Sequence, residues 1–288
     1  MRALVTGSDG FLGRHMVCAL RKQGWQILAL DIKHGNDALD FYRHQQTATY
    51  DLVVHCAAVD PHRSAIDNSP LTVGTGCLEL DASLFRWAAT AKPGRIIYLS
   101  SSAAYPLYWQ DGSTRQRLAE NMLGHWQPDA IYGLVKIVGE QLADAYRAQG
   151  GAVTVVRPFS GYGEDQDDRF PFGAFTARAK RRDDPFEVWG DGTQVRDWIH
   201  VDDLCGAILA AYEHGVDGPL NLATGQPTSF NELARMFAAE VGYEPELKHV
   251  LDAPRGVAYR VGDPTLLRTF YEPRVSLEEG MRRALATA

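Results

Sequence analysis

The chain has 288 residues, 45% hydrophobic and 23% charged, with a formal net charge of −7. This is the balance of a folded globule and excludes a disordered, collagen-like or coiled-coil chain. An acidic surplus argues against nucleic acid or anionic lipid as partner, and no apolar run reaches the roughly 18 residues of a membrane span.

The chain opens on Arg2–Thr6, an apolar strand too short for the core of a signal peptide. A helix is expected over 11–23, then strands at Gln26–Leu30 and Leu52–His55, a helix near 78–91 and a strand at Arg95–Leu99. A helix near 130–149 and a strand at Val153–Val156 follow. Strands without polar alternation are buried on both faces, so β and α in turn at this spacing predict a doubly wound, Rossmann-like α/β fold with a parallel sheet. After Arg157-Pro158 the rhythm is lost over 159–193. Val201–His214 reads as a helix and Leu220–Leu222 as a strand; Ser229-Phe230-Asn231-Glu232 is a capping box for a helix to about Val241, and Ser276 opens another. The expected organisation is a nucleotide-binding domain of 1–158 and 194–224. A smaller, mainly C-terminal substrate-binding lobe would be made of 159–193 and 225–288, with the ligand in the cleft between them. Cys18, Cys56, Cys77 and Cys205 stand apart in apolar surroundings. They read as buried thiols of a reducing compartment, not as a disulfide framework or a metal site, and a cytoplasmic protein is the expectation.

Gly7, Gly10 and Gly13 follow the first strand and open the first helix. Such glycines allow a tight turn, let backbone approach a pyrophosphate and let helix and strand pack closely, while the helix N-terminus offers N–H groups to phosphate. Asp31 ends the second strand 18 residues beyond Gly13. A carboxylate there accepts from ribose hydroxyls and repels a 2′-phosphate, which favours NAD over NADP. Tyr132 and Lys136 are spaced i, i+4 on a predicted helix, one turn apart on one face. A free phenol ionises near pH ~10. An ammonium at about 4 Å and an effective dielectric of ~20 attracts a phenolate by about 4 kcal/mol, up to ~3 pKa units before desolvation subtracts some. Tyr132 then has the makings of an acid/base for an alcohol that loses hydride. Ser100, Ser101 and Ser102 end the strand 95–99, at the sheet edge where ligands sit.

These residues together resemble the extended short-chain dehydrogenase/reductases of the nucleotide-sugar epimerase/dehydratase type. The resemblance also runs through Asp51–Ala58, Ser100–Tyr105, Arg157–Gly163 and Gly190–Asp203. It implies that Gly7, Gly10, Phe11, Leu12, Gly13, Asp31, Ile32, Ala57, Ala58, Ser100 and Pro158 line NAD, together with Tyr132 and Lys136. It makes Tyr132 the acid/base and Lys136 its partner, with Ser101 or Ser102 assisting and Ser101 slightly favoured by its distance from Tyr105. Ser160, Arg196 and Arg255 join Ser101, Ser102 and Tyr132 on the substrate side, the arginines as bidentate forks for a diphosphate. The expected reaction is epimerisation of a nucleotide-diphosphate sugar at C4. The alternatives are reduction of a nucleotide-linked keto-sugar and, from another class, a non-catalytic dinucleotide sensor. The resemblance also implies a homodimer that packs two long helices from each subunit. Departures from the pattern are visible: no carboxylate follows the serines, which argues against dehydration, Cys77 falls near a usual Asn, and Pro106 replaces a usual Gly.

Overall fold

A computed structural model of the chain describes residues 1–44, 49–59, 62–124, 127–254 and 256–287. Its first part runs β1 (Arg2–Thr6), α1 (Phe11–Lys22), β2 (Gln26–Leu30), α2 (Ala38–His44), β3 (Leu52–His55), α3 (Arg63–Asn68), α4 (Pro70–Ala91) and β4 (Ile96–Leu99). Then come α5 (Ala130–Ala148), β5 (Val153–Pro158), β6 (Ser160–Tyr162), α6 (Pro171–Arg181), β7 (Phe186–Trp189) and β8 (Val195–His200). The chain ends with α7 (Val201–Glu213), β9 (Gly218–Leu222), β10 (Pro227–Ser229), α8 (Phe230–Glu240), β11 (Leu247–Val250), β12 (Tyr259–Arg260) and α9 (Leu277–Ala286).

Six parallel strands in the order β2-β1-β3-β4-β5-β9 form the main sheet. Every residue of β3 is buried, as expected for a strand covered on both faces. One face packs on α1 and α7 through Met16, Leu20, Leu204 and Ile208; the other packs on α4 and α5 through Leu84, Trp87, Ala143 and Tyr146. The topology reverses between β1 and β3, so the C-terminal ends of these strands open a crevice. Among the described residues no helix is long and apolar enough to cross a membrane.

The structure corrects the reading of the chain in three places. Residues 159–193 are not irregular throughout: they hold α6 and β7. Pro171 starts α6, and Phe172, Phe175 and Ala179 bury one stripe of it while Arg178, Lys180 and Arg181 crowd its last turn. The helix expected near 78–91 begins at Pro70. Thr72, Val73, Gly74, Thr75 and Gly76 are weak helix formers, but the glycines are where neighbours come close. A Cβ at Gly74 would lie 2.6 Å from Ile131 and one at Gly76 2.7 Å from Val59. Third, the span 194–224 does not return whole to the large sheet. β8 pairs with β6, β10 and β12; β9 rejoins the main sheet, while α7 and Ile199 of β8 pack into its core.

The smaller lobe has its own core of Phe172, Phe175, Phe186, Trp198, Phe230 and Phe237. Ser229 and Glu232 form the expected capping box at α8, with Ser229 N–H donating to Glu232 Oε2 at 2.7 Å. Carboxylates help to tie this part to the main sheet and its helices. Asp197 on β8 is fully buried and accepts from Thr224 N, Gly225 N and Gly262 N at 2.8–3.1 Å. Asp165, beyond β6, reaches back to the first turns of α1, 2.6 Å from Arg14 Nε and 2.9 Å from His15 Nε2.

Candidate active site

The glycine loop is built as its spacing demands. Gly7 has φ +63, which favours glycine, and a Cβ there would lie 2.7 Å from Ala57 N. A Cβ at Gly13 would lie 2.0 Å from Gly7 O, so α1 meets the loop backbone with no room for a side chain. Phe11 and Leu12 form the first turn of α1 behind the N-cap residue Gly10. At the end of β2, Asp31 turns back to this loop: Oδ2 accepts from Asp9 N at 2.9 Å and Oδ1 from Lys33 N at 3.0 Å. Ile32 beside it is exposed. Ala57 N donates to Thr6 Oγ1 at 3.4 Å, which brings the segment after β3 to the loop. A cradle too tight for any Cβ, a helix N-terminus and an adjacent carboxylate fit the diphosphate and ribose of a dinucleotide.

The tyrosine–lysine helix packs on the serine turn that follows β4. Gly133 lets α5 touch the serine turn, because a Cβ there would lie 2.2 Å from Ala103 O. Tyr132 packs against the apolar patch of Val73, Cys77 and Val135, where Ala58 and Val59 also pack. Lys136 is buried, with its Nζ 5.8 Å from the Tyr132 ring centroid. Burial pushes the Tyr132 phenol up and the Lys136 charge offsets part of this. For Lys136 burial disfavours the charge, but Asp81 and Tyr132 outweigh it and hold the ammonium above its ordinary range.

The three serines separate by role. Ser101 is half-buried at the turn, its Oγ accepting from Ala103 N at 3.1 Å. Ser102 is buried within the turn. Ser100, expected beside the cofactor, donates its hydroxyl to Glu140, which forms a buried ion pair with Arg157 at 2.6 Å. Pro158 ends β5, and Ser160 begins β6 opposite Trp198.

Arg196 on β8 stands in register with Arg260 on β12. Its Nη1 donates to Val195 O and Val257 O, both at 2.8 Å, and its guanidinium lies 5.6 Å from the Phe230 ring centroid. Asp129, the residue before α5, is held by Arg260 at 2.8 Å and by Arg63 at 2.9 Å. Burial pushes Asp129 up, but the two arginines outweigh it and its carboxyl sits below the usual range. Burial and the neighbouring Arg260 bring Arg196 down to about 9. Cations destabilised in this way gain from an incoming anion, and a diphosphate matches their planar forks. Arg255, the other candidate, lies outside the described residues.

A parallel sheet with a glycine-loop crevice, a Tyr-x-x-x-Lys helix and a second lobe carrying arginines define an extended short-chain dehydrogenase/reductase. The chain belongs to the NAD dependent epimerase/dehydratase family, whose model matches residues 3–223, and NAD is the cofactor of that family. Similar proteins span nearly the whole chain. One is the dTDP-4-dehydro-6-deoxy-D-allose reductase of Streptomyces bikiniensis, 30% identical over 97% of this chain and 94% of the relative. Another is the GDP-mannose 3,5-epimerase 1 of Oryza sativa subsp. indica, 26% identical over 98% of this chain and 80% of the relative. Among solved structures, the UDP-glucose 4-epimerase of Thermotoga maritima with UDP-glucose has a TM-score of 0.85 and 26% identity, covering 99% of this chain and 97% of that one.

Sequence reasoning missed Asp81, Arg63, Arg260 and Asp129. No local motif marks them. Arg63 and Arg260 are 197 positions apart along the chain and meet only because Asp129 joins them.

Proposed function

We propose that the chain is an NAD-dependent epimerase of a nucleotide-diphosphate sugar, acting at C4. The observation that carries this reading is the buried Lys136 one helical turn from Tyr132, on a helix that Gly133 presses against the serine turn. NAD, held by Gly7, Gly10, Gly13 and Asp31 with Ala57 and Ala58 alongside, supplies the hydride acceptor and donor. Tyr132 takes the proton of the sugar hydroxyl and returns it to the same oxygen once the ring carbon has regained its hydrogen on the other face. Ser101, the half-buried serine of the turn, hydrogen-bonds the oxygen whose charge changes. Ser102 lies deeper. Arg196 holds the diphosphate, with Arg63 and Arg260 contributing to the positive field around it. Reduction of a nucleotide-linked keto-sugar is the second reading, supported by the 30% identity to the Streptomyces reductase.

The experiment is turnover followed at the reduced-nicotinamide absorbance. The epimerase shows sugar interconversion with no net absorbance change, while steady consumption of reduced cofactor would establish the reductase instead. The Tyr132→Phe variant is expected to keep NAD binding and lose at least about 100-fold in kcat. Normal turnover by that variant would remove the proposed chemistry, and the absence of turnover with every nucleotide sugar would leave the non-catalytic sensor.

The same reading includes a homodimer. α4 exposes Leu71 and Leu78, and α5 exposes Leu134 and Val138, on two long helices that pack side by side. Pairing these helices with their copies would cover that apolar surface.

A further inference from the structure

Lys136 has a closer anionic partner than Tyr132. Its Nζ lies 3.3 Å from Asp81 Oδ2 and 3.5 Å from both Asp81 Oδ1 and the Tyr98 hydroxyl. Asp81 sits on α4 and is fully buried. It is held in place from three sides: Tyr98 on β4 donates to its Oδ2 at 2.5 Å, Lys136 comes from α5, and His55 Nε2 at the end of β3 lies 3.3 Å from its Oδ1. His55 is in turn fixed by Thr6 Oγ1 at 2.9 Å and Tyr42 OH at 3.0 Å, both on its Nδ1. Side chains from α5, β4 and β3 therefore meet on one carboxylate of α4, and β1 and α2 fix the histidine among them. Nothing in a nucleotide-binding sheet requires a carboxylate there, and burying one is unfavourable without such partners.

We propose that Asp81 is a positioning residue that takes a share of the Lys136 charge away from Tyr132 and so sets where the Tyr132 acid/base ionises, at a higher pH than a lone ammonium beside it would give. This rests on the reading of Tyr132 as the acid/base. An ammonium facing a carboxylate at 3.3 Å presents to Tyr132 the weaker field of an ion pair rather than that of a lone cation. The other titratable groups around the pair come from every element packed on it: Cys77 from α4, Tyr98 from β4, His55 and Cys56 from the end of β3, Tyr42 from α2, and Glu140 from α5. Burial lowers the His55 pKa and so favours its neutral form, and burial pushes the Cys56 thiol up to about 12. Neither then competes with Asp81 for the ammonium at neutral pH.

The test reads ionisation directly, without turnover. The near-ultraviolet phenolate band of the NAD-saturated protein is titrated with pH, and the contribution of Tyr132 is isolated by subtracting the same titration of the Tyr132→Phe background. In Asp81→Asn the band of Tyr132 is expected to develop at a pH about one unit lower than in the parent. An unshifted band, with Lys136 giving up its proton instead, would overturn the proposal. If Asp81→Asn does not fold, Tyr98→Phe decides. That variant frees Asp81 from a competing donor, so the band is expected at higher pH, and an unmoved or lowered band would refute the idea. The proposed function fails separately, through turnover by Tyr132→Phe or the absence of any turnover. The titration can succeed or fail whatever those assays give.

Discussion

At the residue scale, two buried ion pairs of the main domain have different tasks. Asp81 and Lys136 lie under the candidate site, while Glu140 and Arg157 join the serine strand to α5 and β5. The second pair has a structural task. Arg157 also donates to the Tyr105 hydroxyl at 3.0 Å and to Glu120 O at 2.8 Å, and Tyr105 donates to Asn221 at 2.7 Å. Removing one partner leaves the other charge buried and uncompensated. Glu140→Gln is expected to lower stability by about 3–5 kcal/mol, read as a lower urea midpoint with the slope unchanged. Tyr132, Lys136, Asp31 and the glycines were legible in the sequence because each belongs to a short-range spacing. The Asp81 network and the Arg63–Asp129–Arg260 cluster were not, because each joins residues from elements far apart in the chain.

At the scale of elements, the loop between β1 and α1 allows a sharp test. The space at Gly13 is closed by the backbone of Gly7 rather than by a movable side chain. Gly13→Ala must push helix and loop apart at the point where the phosphates would rest. At least a tenfold loss of NAD affinity, about 1.4 kcal/mol, is expected by calorimetric titration. The effect on folding should be smaller, since Gly13 lies in the first turn of α1 and alanine is the better helix former. The alternation of strand and helix through β5 was readable because each buried strand is a short apolar run. The helix α6 was hidden because its buried stripe is short and its other face is basic. The early turns of α4 were hidden because packing against Ile131 and Val59 overrides their poor helix propensity.

At the scale of the molecule, the exposed leucines of α4 and α5 put the proposed homodimer to the test. Leu134→Asp combined with Leu78→Asp is expected to halve the mass measured by light scattering while leaving the far-ultraviolet spectrum unchanged. A mass that does not respond would place the interface elsewhere or leave the chain a monomer. The tie between Arg14, His15 and Asp165 has its own consequence. Because it fastens the helix behind the glycine loop to the loop beyond β6, the two halves cannot be interchanged freely as modules. A chimera that imports the 159–193 segment of a relative to alter sugar preference must bring a carboxylate to the place of Asp165, or lose this link between the imported loop and α1.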